Sequence, residues 1–237
     1  MSQDAPHLTI AIDGPAASGK TTLGHMLAQK LGYLFLDTGS MYRAVTLAAL
    51  QGSLPVDDEA AMVRLAQSLD IEILPLEEES DGRLYTVLLN GKDVTWELRS
   101  PAVNAHVSTI SAFARVRQEL VRRQRLIGRD GRVVMVGRDI GTVVLPDAPL
   151  KLYVVASPNE RARRRWKENQ KRGGKERYEE ILADVERRDQ IDSNREHSPL
   201  RPAADAILID TTGHSPEDLI AYMMSLVEQE AHQLPGI

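Results

Sequence analysis

The chain has 237 residues, of which 42% are hydrophobic and 27% are charged, the balance of a folded globular protein rather than a disordered one. Its net charge of −5 argues against a general binder of polyanions. The absence of cysteine excludes disulfides and thiolate metal sites, and no apolar run is long enough to predict a membrane-spanning helix. Since residues 1–4 also lack a signal-peptide pattern, we expect a cytoplasmic protein without a membrane anchor.

The N-terminal part predicts strands that alternate with helices. Residues 8–12 form a short apolar run that ends at Asp13-Gly14-Pro15, which indicates a buried strand followed by a glycine loop. Apolar residues at helical spacing predict a helix from Lys20 to Leu31, with Gly32 as its stop. A strand over 33–36 and helices over 40–50 and 57–69 are expected next.

Residues 71–95 interrupt this alternation. Two strands are predicted over 71–74 and 84–89, and Asn90-Gly91 is typical of a type I′ turn before 92–94. We interpret this stretch as a small antiparallel insert that is separate from the main sheet.

The alternation resumes after Ser100-Pro101, a helix-start signal. Helices are expected over 101–110, 113–129, 157–173, 176–190 and 216–230, and strands over 133–136, 150–155 and 206–209. Strands that alternate with helices favour an α/β fold with a parallel sheet covered by helices on both faces.

The loop after the first strand fits the phosphate-binding pattern G-x-x-x-x-G-K-[ST] and lies between a predicted strand and a predicted helix, which is the context the motif requires. Lys20 offers a positive charge to the β- and γ-phosphates, and the Thr21 hydroxyl is a ligand for the Mg²⁺ that accompanies ATP. The expected ATP-binding residues of this segment are Gly14, Pro15, Ala16, Ala17, Ser18, Gly19, Lys20, Thr21 and Thr22.

The phosphate loop leaves three classes of function open, namely a small-molecule kinase, a GTPase-like switch and a nucleic-acid-dependent ATPase. The guanine-reading N-K-x-D segment of a switch is absent. Overall acidity and an aromatic content of 4% disfavour nucleic acid. Arginine is concentrated in 115–129 and 161–177, either as solvated helix faces or as anion ligands, and the second alternative favours a kinase.

Several segments resemble the bacterial cytidylate kinases, a family of P-loop nucleoside monophosphate kinases. They are Asp37-Thr38-Gly39-Ser40-Met41-Tyr42-Arg43, Gly137-Arg138-Asp139-Ile140-Gly141-Thr142, Arg187-Arg188-Asp189 and Asp192-Ser193-Asn194-Arg195, in family order within about residues 8–210. The resemblance implies a core of about 1–37, 131–156 and 176–230, a monophosphate-binding region of about 38–130 that carries the insert, and a lid of about 157–175. We expect the lid to be mobile without ligand because its arginines repel one another.

The resemblance also implies roles for individual residues. Arg43 and Arg138 would hold the acceptor phosphate, Ser108, Arg117 and Asp139 would read cytosine, and Asp192 would accept from the ribose hydroxyls. Arg188 and Arg195 would reach the phosphates, Arg161 and Arg165 would swing toward ATP, and Arg163 and Arg164 are expected to be solvated. The implied catalytic set is Lys20, Arg138 and Arg188, and the implied CMP-binding set is Thr38, Tyr42, Arg43, Ser108, Arg117, Arg138, Asp139, Asp192 and Arg195.

The expected function is therefore transfer of the γ-phosphate of ATP, with Mg²⁺, to CMP or dCMP by a monomer. A UMP kinase, another monophosphate kinase and, less favoured, a nucleic-acid-dependent ATPase remain as alternatives. The sequence leaves the preference among CMP, dCMP and UMP open.

Overall fold

The computed structural model describes residues 8–75, 81–171 and 173–233, so the N-terminal residues on which the signal-peptide inference rested lie outside the described residues. The chain forms two compact units, the first from 1–33 and 131–237 and the second from 34–130. Within the described ranges, no helix is long and apolar enough to cross a membrane.

Eight strands and eight α-helices are described. In chain order they are β1 (Thr9–Asp13), α1 (Lys20–Leu31), β2 (Leu34–Asp37), α2 (Thr38–Gln51), α3 (Glu59–Ser68), β3 (Ile71–Leu74), β4 (Thr86–Leu89), β5 (Lys92–Asp93), α4 (Pro101–Ala112), α5 (Ala114–Gly128), β6 (Val133–Gly137), β7 (Leu150–Val155), α6 (Pro158–Lys171), α7 (Tyr178–Asn194), β8 (Ile207–Asp210) and α8 (Pro216–Gln233).

The first unit is built on a parallel sheet, as the sequence predicts. Four strands of the five-stranded main sheet belong to this unit and lie in the order β6-β1-β7-β8, with every pair parallel. The central strands read as continuous apolar runs because both of their faces are covered, and all five residues of β6 are buried. Helix α1 packs against β6 and α8, and α6 packs against α7. The carboxyl ends of β1, β6, β7 and β8 therefore meet at one edge of the sheet, where α/β proteins bind their ligands.

The second unit contains α2 to α5 and the predicted insert. Strands β3, β4 and β5 form a three-stranded antiparallel sheet, which confirms the interpretation of residues 71–95. Asn90 and Gly91 both have positive φ, 51° and 77°, as a type I′ turn requires. The insert and the helices share one hydrophobic core, which includes Met41, Val45, Val87 and Leu120.

The structure differs from the prediction at several element ends. Helix α2 begins at Thr38 rather than at Ser40, because the Asp37 side chain accepts a hydrogen bond from the Gly39 N–H and caps the helix. Helix α7 continues to Asn194, four residues past the predicted end at Gln190, so Asp192 is helical. A π-helical turn at Ile140–Val144, which no sequence pattern predicted, follows the Arg138-Asp139 pair.

Candidate active site

The loop between β1 and α1 has a backbone that depends on glycine. Gly14 has a φ of 152°, and a Cβ atom at this position would lie 2.1 Å from the carbonyl oxygen of Val154. Ala17 and Gly19 also have positive φ, 59° and 95°. A loop that mixes left-handed and right-handed residues turns its N–H groups inward and forms a concavity for anions. The prediction of a phosphate loop at this position agrees with this geometry.

Lys20 is the first residue of α1, and its side chain folds back over the loop. The residue is buried, and Nζ donates a hydrogen bond to the carbonyl oxygen of Pro15 at 2.8 Å. Thr21 and Thr22 follow in the first helical turn, where Thr21 is half-buried and Thr22 is exposed. The ammonium group and the positive end of the helix dipole thus lie at the same loop.

Asp13, the last residue of β1, connects the phosphate loop to the turn after β6. Its carboxylate oxygens accept hydrogen bonds from the N–H groups of Ile140 at 2.7 Å and Gly141 at 2.8 Å. Burial raises the pKa of Asp13 to about 6, although these two hydrogen bonds act in the opposite direction. Because the π-helical turn directly follows Arg138 and Asp139, Asp13 holds the segment that carries both side chains.

Arg138 and Asp192 form an ion pair. Arg138 comes directly after β6, and its Nε donates to Oδ2 of Asp192 on α7 at 2.8 Å. Burial alone would raise the pKa of Asp192, but Arg138, Arg195 and Arg188 together hold this pKa below its usual value. Asp192 is therefore a carboxylate at neutral pH and available to accept hydrogen bonds.

Arg188 is the least compensated charge of this group. Its side chain is buried, with the whole residue 7% exposed, and its Nε has no hydrogen-bond partner within the part of the chain that the structure describes. Burial, followed by the neighbouring charges of Arg138 and Arg165, lowers the pKa of Arg188 to about 10, although the charges of Asp192 and Asp184 act in the opposite direction. A buried guanidinium whose neighbouring carboxylates offset its burial only in part is a favourable site for an anion.

Asp139 and Arg195 lie next to this cluster. Asp139 is 4% exposed, and its Oδ1 is 4.0 Å from Nη2 of Arg195. Arg195 follows the last residue of α7 and also donates from Nε to the carbonyl oxygen of Ser198. The structure thus brings together six of the predicted site residues in the first unit, namely Lys20 with the loop it covers and Arg138, Asp139, Arg188, Asp192 and Arg195.

The arginines of α6 are paired with carboxylates. Arg161 is buried and forms a two-pronged ion pair with Asp189, while its Nη1 also donates to the carbonyl oxygen of Ala16 in the phosphate loop at 3.2 Å. Arg165 pairs with Asp184 at 2.6 Å. The repulsion that we expected among these arginines is thus offset by acidic partners, and it gives no reason for the predicted lid to be mobile.

Arg164 corrects one prediction. We expected it to be solvated, but its guanidinium donates to the Thr211 hydroxyl at 2.9 Å, to the Thr211 carbonyl oxygen at 2.7 Å and to the Ser18 carbonyl oxygen at 3.4 Å. The reason is the position of Thr211, which follows β8 and itself donates to the Ser18 carbonyl oxygen. Arg163 is exposed and pairs with Glu160, as a solvated residue would.

In the second unit, the first turns of α2 carry Thr38, Tyr42 and Arg43. Thr38 and Tyr42 are buried. The Nη1 atom of Arg43 donates to Oδ1 of Asn104 at 2.7 Å and to the carbonyl oxygen of Leu98 at 3.0 Å. These contacts hold the half-buried guanidinium of Arg43 in a defined place.

Ser108 and Arg117 lie on α4 and α5 and are both buried. The guanidinium of Arg117 stacks over the Tyr42 ring, 5.3 Å from its centroid, and Nη1 donates to the carbonyl oxygen of Ser111 at 3.1 Å. Stacking and hydrogen bonding fix the plane of a guanidinium and prepare it for planar, two-pronged contacts. Tyr42 and Arg117, both predicted CMP-binding residues, are thus in direct contact.

Sequence reasoning missed roles for Asp13, Arg164 and Thr211. Thr211 follows β8 just as Arg138 follows β6, so its position after a parallel strand was a usable signal. Asp13 was noticed only as part of a motif, since its two acceptor contacts join residues 127 and 128 positions apart.

The comparisons with known proteins agree with this geometry. The family model described as cytidylate kinase matches residues 10–229. The chain belongs to the cytidylate kinase family. A cytidylate kinase of Roseiflexus castenholzii is 52% identical over 92% of this chain and 92% of that protein. A cytidylate kinase of Herpetosiphon aurantiacus is 50% identical over 98% of both chains, and one of Bacillus subtilis is 45% identical over 94% of this chain and 98% of that protein.

Family membership implies phosphoryl transfer from ATP, which typically needs a divalent cation. Within the described ranges, no group of three or more His, Cys, Asp or Glu side chains could hold a metal ion. Kinases bind such a cation mainly through substrate phosphates and water, with few protein oxygens. The half-buried Thr21 in the first turn of α1 carries a hydroxyl oxygen of that kind.

Proposed function

We propose that the protein transfers the γ-phosphate of ATP to CMP and dCMP, giving ADP and CDP or dCDP. The observation that carries the proposal is the buried guanidinium of Arg188, whose pKa is lowered to about 10 by burial and by Arg138 and Arg165. Two anionic substrates must be neutralised before one phosphate attacks the other, and a group of buried cations serves this purpose. Membership of the cytidylate kinase family supports CMP as the acceptor.

The donor side of the proposal rests on the phosphate loop. Residues 14–22 bind the ATP phosphates through backbone N–H groups, and Lys20 exchanges its contact with the Pro15 carbonyl oxygen for phosphate oxygens. Thr21 contributes its hydroxyl to Mg²⁺, which neutralises charge on the phosphates when it is bound. Arg161 and Arg165, both on α6, bind the phosphates of ATP. Arg164 has the same role because it also contacts the phosphate loop.

On the acceptor side, Arg138 and Arg43 bind the monophosphate, and Thr38 and Tyr42 line its site in the second unit. When the acceptor phosphate binds Arg138, it replaces Asp192 as the partner of this guanidinium, and Asp192 then accepts hydrogen bonds from the ribose hydroxyls. Arg188 and Arg195 add positive charge at the transferring group. We also expect a cytoplasmic monomer, and light scattering at micromolar concentration would check the oligomeric state.

Base selection follows from donor and acceptor chemistry. Cytosine presents an amino donor at N4 beside an acceptor at N3, whereas uracil presents an acceptor at O4 beside an N3–H donor. A carboxylate only accepts and a guanidinium only donates. If Asp139 faces N4 and Arg117 faces N3 and O2, with the Ser108 hydroxyl in support, the set fits cytosine, and uracil would meet two mismatched contacts.

One assay tests the reaction and one variant pair tests the observation that carries it. Purified protein with ATP and Mg²⁺ is assayed against CMP, dCMP, UMP and AMP in a coupled measurement of ADP release. Arg188→Ala should lower kcat by two or more orders of magnitude, and added guanidinium should restore part of it. Arg187→Ala is the matched control, because Arg187 is the adjacent residue and its half-exposed side chain pairs with Asp184.

Two results would contradict the proposal. The first is a wild-type protein whose kcat/KM for AMP or UMP equals its kcat/KM for CMP. The second is an Arg188→Ala protein with the same kcat as Arg187→Ala, since the buried charge would then have no part in the reaction.

A further inference from the structure

The insert contributes one side chain to the polar network at the start of α2. Tyr85 lies just before β4, and its hydroxyl is 3.1 Å from Oδ2 of Asp37 and 2.8 Å from Oγ of Ser40. Tyr85 is 48 positions from Asp37 and 45 positions from Ser40 in sequence, and the contact is therefore a tertiary link rather than a local turn.

The directions of these hydrogen bonds follow from the groups involved. Asp37 is a carboxylate and only accepts, so the single Tyr85 proton points to Asp37. Ser40 must then donate its proton to the Tyr85 oxygen. Burial and the charge of Asp37 raise the pKa of Tyr85 above its ordinary value, so the hydroxyl keeps its proton throughout the neutral range.

Asp37 uses its other oxygen for the helix. Its Oδ1 accepts from the Gly39 N–H at 3.0 Å and caps α2. The tyrosine hydroxyl thus fixes both the capping carboxylate and a serine of the first turn. The first turn begins with Thr38, and Tyr42 and Arg43 follow in the second turn. The proposed function assigns these three residues to the acceptor.

The ring of Tyr85 is held independently of its hydroxyl. The residue is 6% exposed, its ring is tilted against Phe35 with centroids 5.6 Å apart, and it belongs to the core that the insert shares with the helices. A phenylalanine would keep this packing. The hydroxyl is therefore needed for the polar link and not for the fold of the core.

We propose that Tyr85 is a positioning residue for the acceptor nucleotide, through which the insert fixes the first turn of α2. This inference rests on the proposed function. It gives the insert a specific task, because β4 supplies the rigid base from which the hydroxyl reaches Asp37 and Ser40. Tyr85 need not touch the nucleotide to set the affinity for it.

The test compares Tyr85→Phe with Tyr33→Phe. Tyr33 is also a buried tyrosine, and its hydroxyl accepts a hydrogen bond from the Leu8 N–H in the first unit. We expect Tyr85→Phe to raise KM for CMP and the Kd of CMP, measured by calorimetry, roughly fivefold to tenfold. The KM for ATP, the kcat and the Tm should stay close to those of Tyr33→Phe.

Ser40→Ala provides a second measurement that leaves the tyrosine in place. It should raise KM for CMP in the same direction but less, because Tyr85 still holds Asp37. Combined with Tyr85→Phe it should add little, since both changes remove the same hydrogen bond.

Three outcomes would overturn the inference. If wild-type protein neither binds nor phosphorylates CMP, the proposed function fails and the inference fails with it. If wild-type protein is active and Tyr85→Phe binds CMP as Tyr33→Phe does, the inference alone fails. If Tyr85→Phe lowers the Tm and weakens the binding of CMP and of ATP by the same factor, Tyr85 has a structural role only.

Discussion

Because the carboxyl group of Asp13 is buried, we expect it to make the free energy of unfolding depend on pH. Its environment raises the pKa from 3.8 to about 6, with burial as the main cause and Asp139 as a smaller one. Asp13→Asn keeps the size of the side chain and removes the ionisation. The variant should therefore differ from wild type by an amount that depends on pH.

The sign follows from proton counting. Between the unfolded pKa of 3.8 and the folded pKa of about 6, the folded protein binds more protons at this site than the unfolded chain. The stability that Asp13 contributes is thus fully present below pH 3.8 and is lost as the pH rises through 6. The complete shift corresponds to about 3 kcal/mol, and the part between pH 4.5 and 7.5 corresponds to about 2 kcal/mol.

The assay is urea unfolding of both proteins at several pH values from 4.5 to 7.5. Wild type should lose about 2 kcal/mol of unfolding free energy relative to Asp13→Asn over this range. Asp205→Asn serves as a control without a pH effect in this range. The hydrogen bond from Lys151 holds the pKa of Asp205 below its usual value of 3.8, so the stability it contributes is present above that pH, and the difference between wild type and this control should stay nearly constant from pH 4.5 to 7.5.

A constant difference between wild type and Asp13→Asn across the pH range would refute the reasoning. It would mean that the two N–H donors of Ile140 and Gly141 offset the burial of the carboxylate completely.

The remaining predictions concern the two substrates and the lid. Lys20→Met should leave the fold intact and lower kcat by orders of magnitude, and steady-state kinetics with circular dichroism would check both. Asp139→Ala should reduce kcat/KM for CMP far more than for UMP; an equal reduction would place base selection elsewhere. Arg164→Ala should raise KM for ATP severalfold and leave KM for CMP unchanged, with the exposed Arg163→Ala as control. Hydrogen exchange over 157–175 should slow when a bisubstrate analogue binds, and unchanged protection would contradict the lid assignment.

The sequence was sufficient for the fold because each element carried its own local signal. The apolar runs of β1, β6 and β7, the glycine stop of α1 and the Asn90-Gly91 turn are all short-range patterns, and the structure confirms them. The start of α2 at Thr38 had a local signal in Asp37, which caps the helix through the Gly39 N–H. The tertiary contact by which Tyr85 of the insert also holds this carboxylate has no such signal.

The candidate site divides in the same way. The phosphate loop is a contiguous motif with a known mechanism, and it was found from residues 14–21 alone. The partners of the arginines were not predictable. Arg161 pairs with Asp189 because α7 packs beside α6, and Arg138 pairs with Asp192 because the last turns of α7 lie near the end of β6. The spacing of residues in the sequence predicts neither arrangement. For this reason Arg164 was wrongly predicted to be solvated.

The pairing of these arginines has a consequence for how anions enter the first unit. Arg138, Arg161 and Arg165 each already face a carboxylate, so a phosphate that binds them replaces one acceptor by another and gains only the difference. The Nε of Arg188 has no hydrogen-bond partner among the described residues, and its lowered pKa records the cost of burying it beside Arg138 and Arg165, which Asp192 and Asp184 offset only in part. An anion at Arg188 would reduce that cost further. The net attraction for anions is therefore strongest at Arg188, and the ion pairs of the other three arginines hold their side chains in place until a phosphate binds.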